Sequence, residues 1–239
     1  MNIFTKVVSS LMITMALVVF VRCSPEDDPD NGGNNDALAV THEYVDLGLP
    51  SGTLWAVCNV GAKTPEDRGG YFAWGETVPK EIYDWKTYKY SAYDGESFEL
   101  TKYCNNPNCG LDGFVDTLTV LEPADDVASA NWGANWRMPT KEEMEELNQE
   151  TTFSWTSVNG VEGRLLTGPN GNSIFFPATG FYLDGENICT GLGIYWSSSL
   201  QTVSQVSAWS LHFDHENCHV CATYERSRGH CVRAVRCFQ

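Results

Sequence analysis

The stretch Ala208-Trp209-Ser210-Leu211-His212-Phe213 constrains the fold more tightly than any other. Bulky apolar Trp209, Leu211 and Phe213 alternate with Ser210, His212 and Asp214. Such alternation gives a β-strand one packing face and one outward face. Gly193-Ile194-Tyr195-Trp196-Ser197-Ser198-Ser199 before it and Cys231-Val232-Arg233-Ala234-Val235-Arg236 after it read as further strands. The intervening segment from Asp214 to Gly229 reads as a polar loop. Four of the five histidines and four of the nine cysteines lie from His212 onward. Ligand binding is expected there.

A chain of 239 residues suits one such domain plus processing segments. Its 21 Gly and 10 Pro favour a β- and loop-rich fold over a helical bundle. A net charge of −16 with no Lys/Arg cluster makes nucleic acid or an anionic lipid surface an unsuitable partner, because like charges repel.

Residues 1–22 read as a signal peptide. Lys6 supplies a positive start, and Val7 to Val21 is apolar but short for a membrane span. Cys23 follows, then Ser24-Pro25-Glu26-Asp27-Asp28. This order resembles the lipidated cysteine of bacterial lipoproteins and the acidic export signal of Bacteroidetes surface lipoproteins, although Arg22 stands where a small residue is usual. It implies lipidation at Cys23 and anchoring at the surface of the cell outer membrane. An ordinary cleaved signal with Cys23 as a bystander is the alternative. Residues 24–37 are rich in Pro, Asp, Asn and Gly with almost no apolar content, and the segment 23–41 is expected to be the lipid anchor and a flexible acidic tether. The folded domain is expected over residues 42–239.

Within that domain, Glu43 to Val60 reads as two strands joined around Pro50-Ser51-Gly52. The aromatic-rich run Tyr71 to Tyr93 is either a carbohydrate-stacking platform or a long loop pinned by its own rings; the loop is favoured. Asp112 to Leu121 suggests a short strand. Glu122-Pro123-Ala124-Asp125-Asp126 starts a helix that Gly133 ends. Thr140-Lys141-Glu142-Glu143 is a capping box, with Met144 and Leu147 on one face of the following helix. Strands and turns follow from Phe153. In an exported protein, the spacing of Cys104 and Cys109 favours a local disulfide over a metal site. Cys58 reads as a small buried hydrophobe. Arg233 and Arg236 fall on opposite strand faces, so at most one lies inside.

Trp136-Arg137-Met138-Pro139-Thr140-Lys141-Glu142-Glu143 resembles the W-R-[LM]-P-T-x-x-E element of C-type-lectin-like folds. That element occurs in the formylglycine-generating-enzyme superfamily and in the Fibrobacter succinogenes major paralogous domain. Tyr44 to Ala56, Tyr71-Phe72-Ala73-Trp74-Gly75-Glu76, Tyr195-Trp196-Ser197-Ser198-Ser199 and Val232-Arg233-Ala234-Val235-Arg236 resemble the second group closely. The resemblance implies an α+β, C-type-lectin-like domain: a twisted antiparallel sheet, two short helices and long loops. It also implies ligand binding near the C-terminal strands. The variable proteins of diversity-generating retroelements share this architecture. Their randomised Asn codons cannot become Gln, Glu, Lys, Met or Trp, so Gln201, Gln205, Trp209, Glu216 and Glu225 would be scaffold positions.

His212, His215, Cys218, His219 and Cys221 invite a zinc reading, since imidazole and thiolate are its ligands. Against it, His212 is expected on a strand and the others on a loop, and exported cysteines tend to pair. An exposed binding face or a disulfide is favoured, with no metal and no cofactor. An enzyme of the formylglycine-generating type would need a reactive cysteine pair; Cys231 and Cys237 are placed for it, but the surrounding motif is missing. The calcium-site motifs of sugar-binding lectins are missing too, and no phosphate loop or Ser/His/Asp arrangement stands out. The expected function is a non-enzymatic, surface-anchored ligand-binding lipoprotein. Its partner is an extracellular protein or glycan, contacted by Ser204, His212, Asp214, His215, Asn217, His219, Tyr224 and His230. A structural or assembly component of the envelope is the alternative.

Overall fold

The computed structural model describes residues 42–236. The signal peptide, Cys23, the tether and residues 237–239 lie outside the described residues. In chain order the elements are β1 (Tyr44–Asp46), β2 (Leu54–Ala56), β3 (Ser91–Tyr93), β4 (Phe98–Leu100), α1 (Val127–Trp132), β5 (Trp136–Arg137), α2 (Lys141–Glu150), β6 (Thr152–Val158), β7 (Val161–Thr167), β8 (Ser173–Pro177), β9 (Phe181–Leu183), β10 (Glu186–Ile188), β11 (Gly193–Leu200), β12 (Ala208–Phe213), β13 (Cys218–Cys221) and β14 (Val235–Arg236). The class is α+β, mostly antiparallel sheet with few helices. No helix among the described residues is long and apolar enough to cross a membrane.

Three sheets, ordered β1-β2-β14-β5, β6-β7-β8 and β11-β12-β13, are accompanied by the hairpins β3-β4 and β9-β10. The last strand inserts between early ones, with Val235 opposite both Trp55 and Arg137. All of β11 is buried. Because successive side chains point to opposite faces, Tyr195 joins Trp55, Phe176, Leu211 and Phe213, while Trp196 joins Phe72, Trp74 and Tyr103. The buried serines of β11 are satisfied: Ser197 Oγ donates to Trp209 O at 2.8 Å and Ser198 Oγ to Pro139 O at 3.2 Å. Only glycine fits position 193, where a Cβ would meet the Phe213 ring at 1.9 Å.

The Trp136 to Glu143 element brackets the two helices. Asp126 caps α1, accepting from Ala128 N and Ser129 N, and its other oxygen accepts from Met138 N at 2.7 Å. The Thr140/Glu143 capping box forms as expected, and Met144 and Leu147 are the buried residues of α2. Glu143 also takes a bidentate contact from Arg137, at 2.5 and 2.6 Å. The aromatic run is a pinned loop: Tyr83 and Tyr88 are buried and donate to Tyr71 O and Trp74 O.

Two expectations need correction. Asp112 to Leu121 forms no strand. A single 3-10 turn, Leu111–Gly113, lies at its start, and it pairs with β11 at a Val120–Ser199 bridge. The carboxylate of Asp116 bends the backbone by accepting from Tyr103 N, Cys104 N and Leu118 N. Nor is β12 buried on one face only. Ser210 is fully buried. β12 is the central strand of its sheet, and Tyr224 lies over the face opposite the core, 4.8 Å from His212. Trp209 is half-buried, with the Lys141 ammonium 4.4 Å from its ring.

Arg233 is fully buried and Arg236 lies nearer the surface, over Tyr44, so one of the two is inside as expected. Arg233 Nε donates to Asn59 Oδ1 at 2.7 Å, Nη1 to the carbonyls of Val57 and Ala56, and Nη2 to Phe175 O at 3.1 Å. Removing it strands buried acceptors and leaves a void. Arg233→Ala is expected to cost at least about 3 kcal/mol, and Arg233→Lys a smaller but clear amount, because an ammonium cannot span this fan of acceptors. Arg236→Ala is expected to cost under about 1 kcal/mol. Urea unfolding midpoints of the three variants check the order.

Candidate functional site

The segment from His212 to Cys221 is a hairpin. The Asp214 carboxylate makes its turn, accepting from Glu216 N at 2.7 Å and Asn217 N at 2.6 Å. Those amide hydrogen bonds hold the Asp214 pKa below the usual carboxylate value. Cys218–Cys221, expected as loop, is β13. It pairs with β12 in the register Ser210 opposite Cys221, Leu211 opposite Val220, His212 opposite His219 and Phe213 opposite Cys218. One face of the pair, with Leu211, Phe213, Cys218 and Val220, enters or borders the core. The other carries Ser210, His212, His219 and Cys221.

On that second face His212 Nε2 is 2.9 Å from Ser210 Oγ, and its Nδ1 is 3.3 Å from Cys221 Sγ. Burial under Tyr224 lowers the His212 pKa to about 4, and the neighbouring His219 pushes the same way. The donor atoms of His212, His219 and Cys221 all lie within 4.8 Å of one another. A strand and a loop would not be assured to converge; these segments do, because both are strands in register. His215 and Cys218 stay outside the group. His215 is exposed at the turn, 6.4 Å from the Trp155 ring, and Cys218 lies on the core side, its thiol pushed up to about 11 by burial.

The expected recognition residues therefore separate. His215, Asn217 and His219 are exposed along the hairpin. His212 and Tyr224 are partly covered, Tyr224 packing on Phe181 at 4.7 Å. Asp214 is engaged in the turn. Ser204 lies at the opposite end of β12, in a turn where its carbonyl accepts from Ser207 N. His230 is not a surface residue: it is fully buried and stacked on Trp196 at 3.8 Å, between that ring and Tyr224. The sequence puts it among surface residues because nothing beside it reveals that the rings of Phe181, Trp196 and Tyr224 enclose it.

The expected Cys104–Cys109 bridge is not formed. Both are free thiols, and Cys104 Sγ contacts Asn106 O at 3.2 Å. Cys58 is half-buried. Cys231 is fully buried, donates to Arg68 O and is pushed up to about 12 by burial, an environment that suppresses a thiolate. Its suggested companion, Cys237, lies outside the described residues.

The sequence reading missed Ser210, which anchors His212. Reading Cys-His-Val-Cys as a strand after a four-residue turn would have placed it. It also missed two adjoining clefts of about 730 and 500 Å3 that share Gly69, Gly70 and Pro79. The larger is lined by Tyr71, Tyr83 and Tyr182 with Lys80 and Glu81, and the smaller by His42 and Trp132. Only the aromatic density of Tyr71 to Tyr93 pointed toward them.

Neither ring nitrogen of His230 has a hydrogen-bond partner among the described residues. Burial lowers its pKa well below the ordinary value, and His212 and Arg228 add in the same direction. Unfolded, it titrates near 6.5. Between the folded and unfolded values the unfolded chain binds the extra proton, so its contribution is complete above about pH 6.5 and is lost as pH falls. The expected slope is about 1.4 kcal/mol per pH unit. His230→Phe keeps the stack and removes the titration. Stability at pH 7 should hold within about 1 kcal/mol, and the acid slope should flatten by that amount in urea unfolding from pH 7 to 5.

A family model, the Lcl C-terminal domain, matches residues 51–236. No curated protein and no solved structure matches the chain. The matched range takes in every described element except β1, including the hairpin and the inserted last strand. The chain belongs to the Lcl C-terminal domain family.

Proposed function

We propose that this chain is a lipid-anchored protein on the surface of the outer membrane, and that its domain binds an extracellular protein or glycan without catalysing a reaction. The observation that carries the binding role is the two-sided β12–β13 hairpin. One side is fastened in the core through Leu211 and Phe213, while the turn and the other side present His215, Asn217 and His219 to solvent. Recognition favours adaptable polar groups on a rigid support. The anchor rests on the order of apolar run, Cys23 and acidic tether. The relation to lectin-like folds and to the Fibrobacter paralogous domain rests on the Trp136 to Glu143 element and the motifs that accompany it.

Diversification by a retroelement finds less support. Glu216 is a residue such mutagenesis cannot produce, yet it sits exposed at the tip of the turn rather than in the scaffold. A catalytic reading through Cys231 finds little support in a thiol so fully enclosed.

Arrays of glycans and of surface proteins test the proposal, with the His215→Ala/Asn217→Ala double variant as comparison. Both side chains are exposed, so the fold should be unaffected. Binding is expected to weaken at least about tenfold, or about 1.4 kcal/mol. Unchanged binding moves the site elsewhere, and loss on Tyr182→Ala instead would place it in the aromatic cleft. A wild-type chain that binds nothing favours a structural component of the envelope.

A further inference from the structure

The hairpin carries a donor set that a protein- or glycan-binding role does not require. His212 and His219 face each other across the ladder, and Cys221 is the diagonal neighbour of His212 on the same face. Two ligands of a tetrahedral zinc ion, each about 2.0–2.3 Å from the metal, stand about 3.3–3.6 Å apart. The Cys221 Sγ to His212 Nδ1 separation is 3.3 Å, so one edge of such a tetrahedron is already at its spacing. His219 is exposed, and all three donors already lie within 4.8 Å. The remaining closure is asked of the His219 side chain.

The far nitrogen of His212 decides which proton it carries. Ser210 Oγ lies 2.9 Å from Nε2 and donates to Cys221 O at 3.3 Å. A hydroxyl has one proton. With it committed to the carbonyl, Oγ accepts from Nε2–H, and Nδ1 is left bare on the side of Cys221. Metal-ligating imidazoles are held in this way, one N–H anchored and the other nitrogen presented. Ser210 is fully buried, so the anchor is rigid. Thr223 Oγ1, 3.4 Å from Cys221 Sγ, can donate to a thiolate there.

We propose that His212 Nδ1, His219 and Cys221 Sγ bind a divalent ion of the zinc class, leaving a fourth position for water or a donor from a partner. Two imidazoles and a thiolate suit zinc rather than calcium or magnesium, which take oxygen ligands. On binding, the Cys221 S–H bond breaks, the sulfur's electron pair enters the S–metal bond and the proton passes to solvent. The imidazoles would bind through bare ring nitrogens, so the thiol is the ligand whose bond to hydrogen must break. The site stands independently of whether the hairpin also binds a protein or glycan.

Titration of Co2+ and then Zn2+ into the reduced, chelator-stripped full chain tests this. One ion per chain is expected, with a thiolate-to-cobalt charge-transfer band, the intense visible bands of a four-coordinate ion, and about one proton released per ion. Cys221→Ser should abolish the charge-transfer band. His219→Ala, at an exposed position, should weaken zinc binding at least about tenfold, and Ser210→Ala about ten- to a hundredfold. Cys218→Ser, on the opposite face, should leave the band in place. Thermal unfolding without metal checks that each variant is folded. No binding up to millimolar zinc, a band that survives Cys221→Ser, or a band lost in folded Cys218→Ser overturns the proposal.

Discussion

The buried guanidinium of Arg233 is the interaction on which the rest of the domain depends. Its acceptors come from the end of β2, from Asn59 and from β8, so one side chain joins the first sheet, the chain just after it and the middle sheet. A charge taken out of water is costly unless its hydrogen bonds are replaced, and here they are replaced by oxygens. The Phe176 ring lies 4.4 Å away on its face. The arrangement requires β14 to lie beside β2. It therefore fixes the insertion of the last strand between two early ones, with Val235 between Trp55 and Arg137.

That insertion gives β11 its position. Trp196 N donates to Cys231 O, so β11 runs alongside the segment leading into β14. From there it divides the core, one ring to each side, and the indoles are tied across: Trp74 Nε1 donates to Ser197 O at 2.8 Å and Trp196 Nε1 to Phe72 O at 2.9 Å. The Trp136 to Glu143 element clamps the other end. Pro139 O accepts from Ser198 N, while Arg137 and Thr140 share the carboxylate of Glu143. Its residues are thus explained by structure alone, and their presence carries no information about a ligand.

What was legible in the sequence was whatever is decided within a few residues. The capping box joins Thr140 to Glu143, and the buried pair Met144 and Leu147 repeats at helical spacing; both are local and both formed. That at most one of Arg233 and Arg236 lies inside was legible too, although the whole run from Cys231 to Val235 is buried and β14 covers only Val235–Arg236. What could not be read was decided by distant chain. His230 is a polar residue in a polar-looking region, yet the rings of Phe181, Trp196 and Tyr224 cover it, and Ser210 is buried beside His212 and Cys221. The four residues of β13 are too few for periodicity to mark. Missing that strand hid the register that sets His212 opposite His219.

β13 is the edge of its sheet, and an edge strand is the least secured part of a β structure. Its core-side residues are a half-buried Cys218 and Val220, modest anchors beside Leu211 and Phe213 on the neighbouring strand. Its backbone gains one tie from α2, where Asn148 Nδ2 donates to Cys218 O at 3.3 Å. The turn it supports carries His215 and Asn217, the groups most available to a partner. An ion held by His212, His219 and Cys221 would link this edge to the central strand across two rungs of the ladder, with Leu211 opposite Val220 between them, behind that turn. The cost of ordering the presenting loop would then be met by metal coordination before any partner arrives, which is the condition under which a small polar surface binds well.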